Sequence, residues 1–163
     1  MFKRVGMAGL FILVTLASAS GHTCASKSAD GKHSLVYHNR KYRFCFDLPE
    51  DWRGYSVIVG TWSGTAFNRD REHGEPVGGP LITLRHPLWN KDDWRQDIPI
   101  LILTHAQGEI WNDIVVSAAP YGPVPIGRNA KYVFSLFPRF DESLATGADE
   151  VQELFRHHPL HAY

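Results

Sequence analysis

Tyr42-Arg43-Phe44-Cys45-Phe46-Asp47-Leu48 decides the fold class. Tyr42, Phe44, Phe46 and Leu48 fall at period two, and Arg43, Cys45 and Asp47 alternate with them. Successive side chains of a strand point to opposite faces, so this pattern predicts a strand with one apolar face. Pro49 ends it, because proline cannot donate to a ladder. Residues 34–38 predict a partner strand, with Asn39-Arg40 as the hairpin turn.

Working outward, residues 57–62 predict the next strand, and residues 63–79, polar and glycine-rich, a loop. Residues 81–86 read as a strand closed by Pro87, and residues 90–97 as a short helix. Residues 98–103 (Ile-Pro-Ile-Leu-Ile-Leu) are the most apolar run after the N-terminal segment. They predict a central strand, with Pro99 tolerated only near its start. Thr104 and Gln107 form a capping box for a short helix toward Trp111, although Gly108 weakens it. Residues 114–118 and 131–137 predict two more strands, with Tyr121-Gly122-Pro123 turning between them. A last helix is capped by Thr146, carries Asp149 and Glu150 in its first turn, and is stopped by Pro159. Val151, Leu154 and Phe155 form its apolar stripe.

About six strands with few helices predict an α+β domain over residues 33–163, a mostly antiparallel sheet flanked by helices. The expected core is Phe44, Phe46, Ile100, Ile102, Val133, Leu136, Val151, Leu154 and Phe155.

Residues 1–19 read as a secretory signal peptide. Lys3 and Arg4 precede an uncharged apolar run over residues 5–16, and Ala17-Ser18-Ala19 supplies small residues for cleavage. The run is shorter than the roughly 20 residues that span a bilayer, and no later run is long enough. The protein is therefore expected to be exported, periplasmic or extracellular, with residues 20–32 as a disordered leader. Cleavage removes two of 17 basic residues and none of 17 acidic ones, so the mature charge is −2. That balance argues against a nucleic-acid partner, which needs a basic face.

Both cysteines, Cys24 and Cys45, lie beyond the cleavage point. An oxidising compartment permits a disulfide between them. The alternative is lipid anchoring at Cys24, but Gly21-His22-Thr23 fits a lipobox poorly.

The string from Tyr42 through Leu48-Pro49 to Trp52 and Ser56 resembles the opening hairpin of Mog1/PsbP-like domains. The rest resembles a family of uncharacterised bacterial secreted proteins and lipoproteins. Ile82-Thr83-Leu84-Arg85-His86-Pro87-Leu88-Trp89, Arg95-Gln96-Asp97-Ile98-Pro99-Ile100 and Gly127-Arg128-Asn129-Ala130-Lys131-Tyr132-Val133-Phe134 carry that likeness. The resemblance implies an α/β/α sandwich and brings no catalytic residues.

Gly60-Thr61-Trp62-Ser63-Gly64 is not a nucleophile elbow, which needs glycine two residues either side of the serine. His157, His158 and His161 suit a transition metal, but Pro159 keeps them off one helical face. They read as a cationic helix end and a frayed tail, and no metal is assigned. His86, Asp97 and His105 sit at strand ends and are the candidates for acid–base catalysis, although strand ends are also where polar residues ordinarily begin. Trp89, Trp94, Arg95, Tyr121 and Arg128, with Asp97 and Arg139 beside them, are the candidates for ligand binding, pairing aromatic faces with guanidinium forks. The competing account pairs Arg95 and Arg128 with Asp92, Asp93 or Asp97 as loop staples. No phosphate loop, paired-cysteine motif or EF-hand spacing is present, and no cofactor is assigned. The function expected is a non-enzymatic binding or accessory domain of the bacterial envelope, taking an envelope protein or small ligand. The alternative is a small hydrolase using His86 or His105 with Asp97.

Overall fold

The computed structural model describes Cys24 and residues 35–67, 73–116, 122–137 and 145–163. β1 (Leu35–Asn39) and β2 (Phe44–Leu48) pair antiparallel. Their turn lies just beyond the expected Asn39-Arg40. Asn39 ends β1, and its Oδ1 accepts from the Tyr42 N–H at 3.0 Å. After Pro49 a 3-10 turn (Glu50–Trp52) drops Trp52 into the core.

β3 (Ser56–Ala66) and β4 (Glu75–Arg85) then form a hairpin paired along both strands. Most of residues 63–79 is therefore strand and not the expected loop. The glycines there serve close packing. Trp62 lies opposite Gly79 and sends its indole N–H across β4 to the Ile102 carbonyl at 3.1 Å. A Cβ on Gly79 would stand 2.7 Å from that carbonyl oxygen and 2.8 Å from the indole nitrogen.

Residues 90–97 make bends instead of a helix. The Asn90 Oδ1 accepts from the Asp92 and Asp93 N–H groups at 3.0 and 2.8 Å, a local alternative that competes with helical bonding. β5 (Ile98–Thr104) follows, then α1 (His105–Glu109), entered by the expected capping box. Next come β6 (Ile114–Val115), β7 (Val124–Arg128), β8 (Tyr132–Leu136), α2 (Ala148–Arg156) and β9 (Leu160–Ala162). β7 falls on a Pro- and Gly-containing segment that carries little strand signal. Gly147, with φ 82°, takes the N-cap of α2, because the Thr146 hydroxyl is turned to Asp93 at 2.9 Å. The tail after Pro159 is not frayed: β9 pairs with β2, setting His161 opposite Cys45.

Among the described residues every strand pair is antiparallel, in a three-stranded sheet ordered β1-β2-β9 and a six-stranded sheet ordered β6-β3-β4-β5-β8-β7. The fold is thus mostly antiparallel sheet with two short α-helices among the described residues. Phe44, Phe46 and Leu48 of β2 meet Ile82, Leu84, Ile98, Ile100, Ile102 and Phe134 between the sheets. Leu101 and Leu103 point the other way and join Trp62, Ile114, Val116 and Val133. β5 is buried on both faces, which is why its sequence is continuously apolar. Val151 is buried, whereas Leu154 and Phe155, expected as core, are only partly covered at its margin.

Candidate functional site

The β4–β5 register sets Leu84 opposite Ile98, and one step further Arg85 meets Asp97. The Arg85 Nε lies 3.1 Å from both carboxylate oxygens, and Nη2 lies 2.6 Å from Oδ2. The same guanidinium stacks 3.9 Å above the Trp89 ring. The carboxylate raises the Arg85 pKa, chiefly through the hydrogen bond. Such a bidentate pair on an aromatic face fixes geometry. It also occupies the carboxylate that acid–base chemistry would require.

His86 is buried beside this pair. Its Nδ1 accepts from the Leu88 N–H at 3.1 Å, so the neutral ring carries its proton on Nε2. The ring stands edge-on to Trp52 with centroids 5.0 Å apart. Burial, the largest influence, lowers the His86 pKa; Arg95 lowers it further, and Glu150 and Asp51 oppose. The Trp52 indole N–H donates to Glu150 Oε1 at 2.6 Å, and Arg95 Nη1 lies 4.0 Å from Glu150 Oε2. Trp52, His86, Arg95 and Glu150 thereby lock α2 to the end of the sheet.

Of the candidate catalytic residues, His105 stands apart from His86 and Asp97. Asp97 and His105 stand at opposite ends of β5, about 26 Å apart for extended chain, and His105 is exposed with its Nε2 against the Asn129 carbonyl at 2.9 Å. The candidate binding residues divide as well. Trp89, Trp94 and Arg95 lie before β5, Trp94 half exposed and Arg95 bridged to Thr146. Arg128 sits across from Val133, which itself pairs with Leu103 at the far end of β5. Arg95 turns to Glu150, and the partner of Asp97 is Arg85 rather than Arg95 or Arg128. Tyr121 and Arg139 lie outside the described residues, as do residues 1–19 and, apart from Cys24, residues 20–32.

Two features were not singled out from the sequence, apart from the Cys24–Cys45 pair within the second, for which a disulfide was one of the two expectations. The first is the outer edge of β3. β3 meets β4 throughout but meets β6 only at Thr65 and Ala66. Over residues 56–64 that edge has no strand partner among the described residues. It carries Val57, Ile58 and Val59, exposed by 40%, 39% and 72%, and contains neither a charge nor a proline. Open edges ordinarily carry such blocking devices. A run of β-branched residues identifies a strand; whether a neighbour covers its edge depends on the fold.

The second is the outward face of the three-stranded sheet, where His38 pairs with Cys45 and Cys45 with His161. Residues opposed in antiparallel strands share a face. Cys24 lies over Cys45, joined as a disulfide with Cα atoms 6.1 Å apart. The His38 Nδ1 is 3.5 Å from Cys45 Sγ, and His161 Nε2 is 2.9 Å from Asp47 Oδ2. The ligand atoms of Cys24, His38 and Cys45 all lie within 4.8 Å of one another. No helix among the described residues is long and apolar enough to cross a membrane.

The chain matches no family model, no curated protein and no solved structure.

Proposed function

We propose that this chain is an exported, non-enzymatic binding or accessory domain that captures an extended segment of a partner protein on the free edge of β3. The single observation behind the reading is that edge: among the described residues, 56–64 pair with β4 alone, over about 26 Å, with exposed Val57, Ile58 and Val59 alongside. Strand addition draws affinity from main-chain hydrogen bonds and specificity from alternate side chains. The uncharged edge suits an apolar, β-branched segment. The hydrolase reading has less support, because Asp97 is held by Arg85 and lies a full strand away from His105.

Export rests on the charge, apolar run and small residues of the first 19 positions. The finer reading of the architecture as a Mog1/PsbP-like sandwich belongs to the same proposal. It is favoured by the β1–β2 hairpin running through Leu48-Pro49 into a buried Trp52.

A photo-crosslinking residue at position 59, in protein expressed in its native envelope, tests the reading. The expected result is an adduct with a defined peptide segment, lost when Val57→Pro removes an edge N–H and kept in the variant Ile110→Lys. Adducts with lipid alone, or light scattering showing that β3 edges pair two copies, would overturn it.

A further inference from the structure

We infer that the outward face of the three-stranded sheet is a redox-gated site for a soft transition metal, with Cys24, His38 and Cys45 as its three protein ligands. This site is independent of the β3 edge. The register carries the argument: His38 and Cys45 are directly opposed on β1 and β2, on the face opposite to Phe44 and Phe46, with His38 exposed and Cys45 fully buried beneath Cys24. Around tetrahedral zinc, metal–sulfur and metal–nitrogen bonds of about 2.3 and 2.05 Å give a sulfur–nitrogen edge of about 3.6 Å. The His38 Nδ1 lies 3.5 Å from Cys45 Sγ, so these two donors already stand at that spacing.

The disulfide between Cys24 and Cys45 is the closed state, in which neither sulfur offers a thiolate. A dithiol opens it by exchange. Two electrons pass to the protein sulfurs, the reductant becomes a disulfide, and Cys24 and Cys45 become thiols. Metal then displaces one proton from each thiol and binds two thiolates and the neutral imidazole of His38. Thiolate and imidazole together favour Zn²⁺ or Cu⁺ over the hard cations. Three protein ligands leave the fourth position to water, as in zinc sites that exchange ligands. His161, although it faces Cys45, is held by Asp47 at 2.9 Å and stands beside the site.

Cobalt(II) titration of the full chain under a phosphine reductant tests this, read by the thiolate-to-cobalt charge-transfer absorption. One equivalent should produce the band, and zinc should bleach it. The oxidised protein should show none. His38→Ala, an exposed position, should weaken binding by about tenfold or more, while His105→Ala should leave it unchanged. Near-UV circular dichroism of the reduced protein confirms that the fold persists. Absence of the band in folded, reduced protein would overturn the site, and so would equal affinity in the His38→Ala variant.

Discussion

β3 and β5 are both uncharged strands rich in β-branched residues, yet they occupy opposite situations. β5 pairs with β4 over Ile98–Leu101 and with β8 over Leu101–Thr104, and is buried on both faces from Ile98 to Leu103. Among the described residues β3 pairs with β4 throughout and with β6 only at Thr65 and Ala66, and its first half is exposed. Local propensity is common to the two; position in the sheet separates core from exposed edge. β5 contributes its apolar residues to stability. β3 leaves Val57, Ile58 and Val59 exposed, where side chains contribute little to stability.

Matched substitutions should expose this difference most strongly. Ile100→Ala should cost about 2–5 kcal/mol by removing buried methyl groups and leaving a cavity. Ile58→Ala should stay within about 0.5 kcal/mol, as surface changes do. Chemical denaturation of both variants measures the contrast, and equal losses would erase it.

Glycines give a smaller version of the same comparison. Gly79→Ala drives a Cβ into the Trp62 indole and the Ile102 carbonyl, and should cost about 1–3 kcal/mol through overpacking. Gly60 on β3 has nothing within 4 Å of the corresponding position. Gly60→Ala should therefore be neutral or stabilising by up to about 1 kcal/mol, through the unfolded chain. Tryptophan fluorescence, which should shift for Gly79→Ala alone, identifies Trp62 as the displaced group.

The smallest expected effect lies at the β4–β5 end. His86 titrates near 6.5 in the unfolded chain and lower in the folded one, where burial disfavours its charge. Between those values the unfolded state binds more protons, so stability rises with pH there. The contribution is complete above about pH 6.5 and is lost as pH falls toward the folded pKa. His86→Gln should flatten this part of the profile in melts between pH 7.5 and 5. An unchanged slope would assign the acid sensitivity to other groups.

Much of the architecture was legible in the sequence, for identifiable reasons. The period-two run from Tyr42 to Leu48 and the apolar run of β5 each encode their own burial. The Thr104–Gln107 capping box does so through local hydrogen bonds. What was not legible depended on distant partners. The glycines at 78 and 79 read as loop because their packing against Trp62 is a cross-strand matter. β9 is three residues long and exists because β2 is beside it. Thr146 has the chemistry of a cap but is turned to Asp93. The site residues followed the same rule. His86, Asp97 and His105 all stand at strand ends, yet sequence distance could not show that β5 keeps His105 away from the other two. His38, Cys45 and His161 share a face only because the β1-β2-β9 order aligns them.

The central claim, that the open edge of β3 is the contact surface, is tested most directly by residue-resolved amide hydrogen exchange over residues 56–64. In the free chain, alternate amides should divide into a slow set bonded to β4 and a fast set facing outward. With the segment identified by crosslinking added in excess, the fast set alone should slow, while β5 amides stay unchanged. Outward amides already protected in the free chain, or still fast in the complex, would contradict the account.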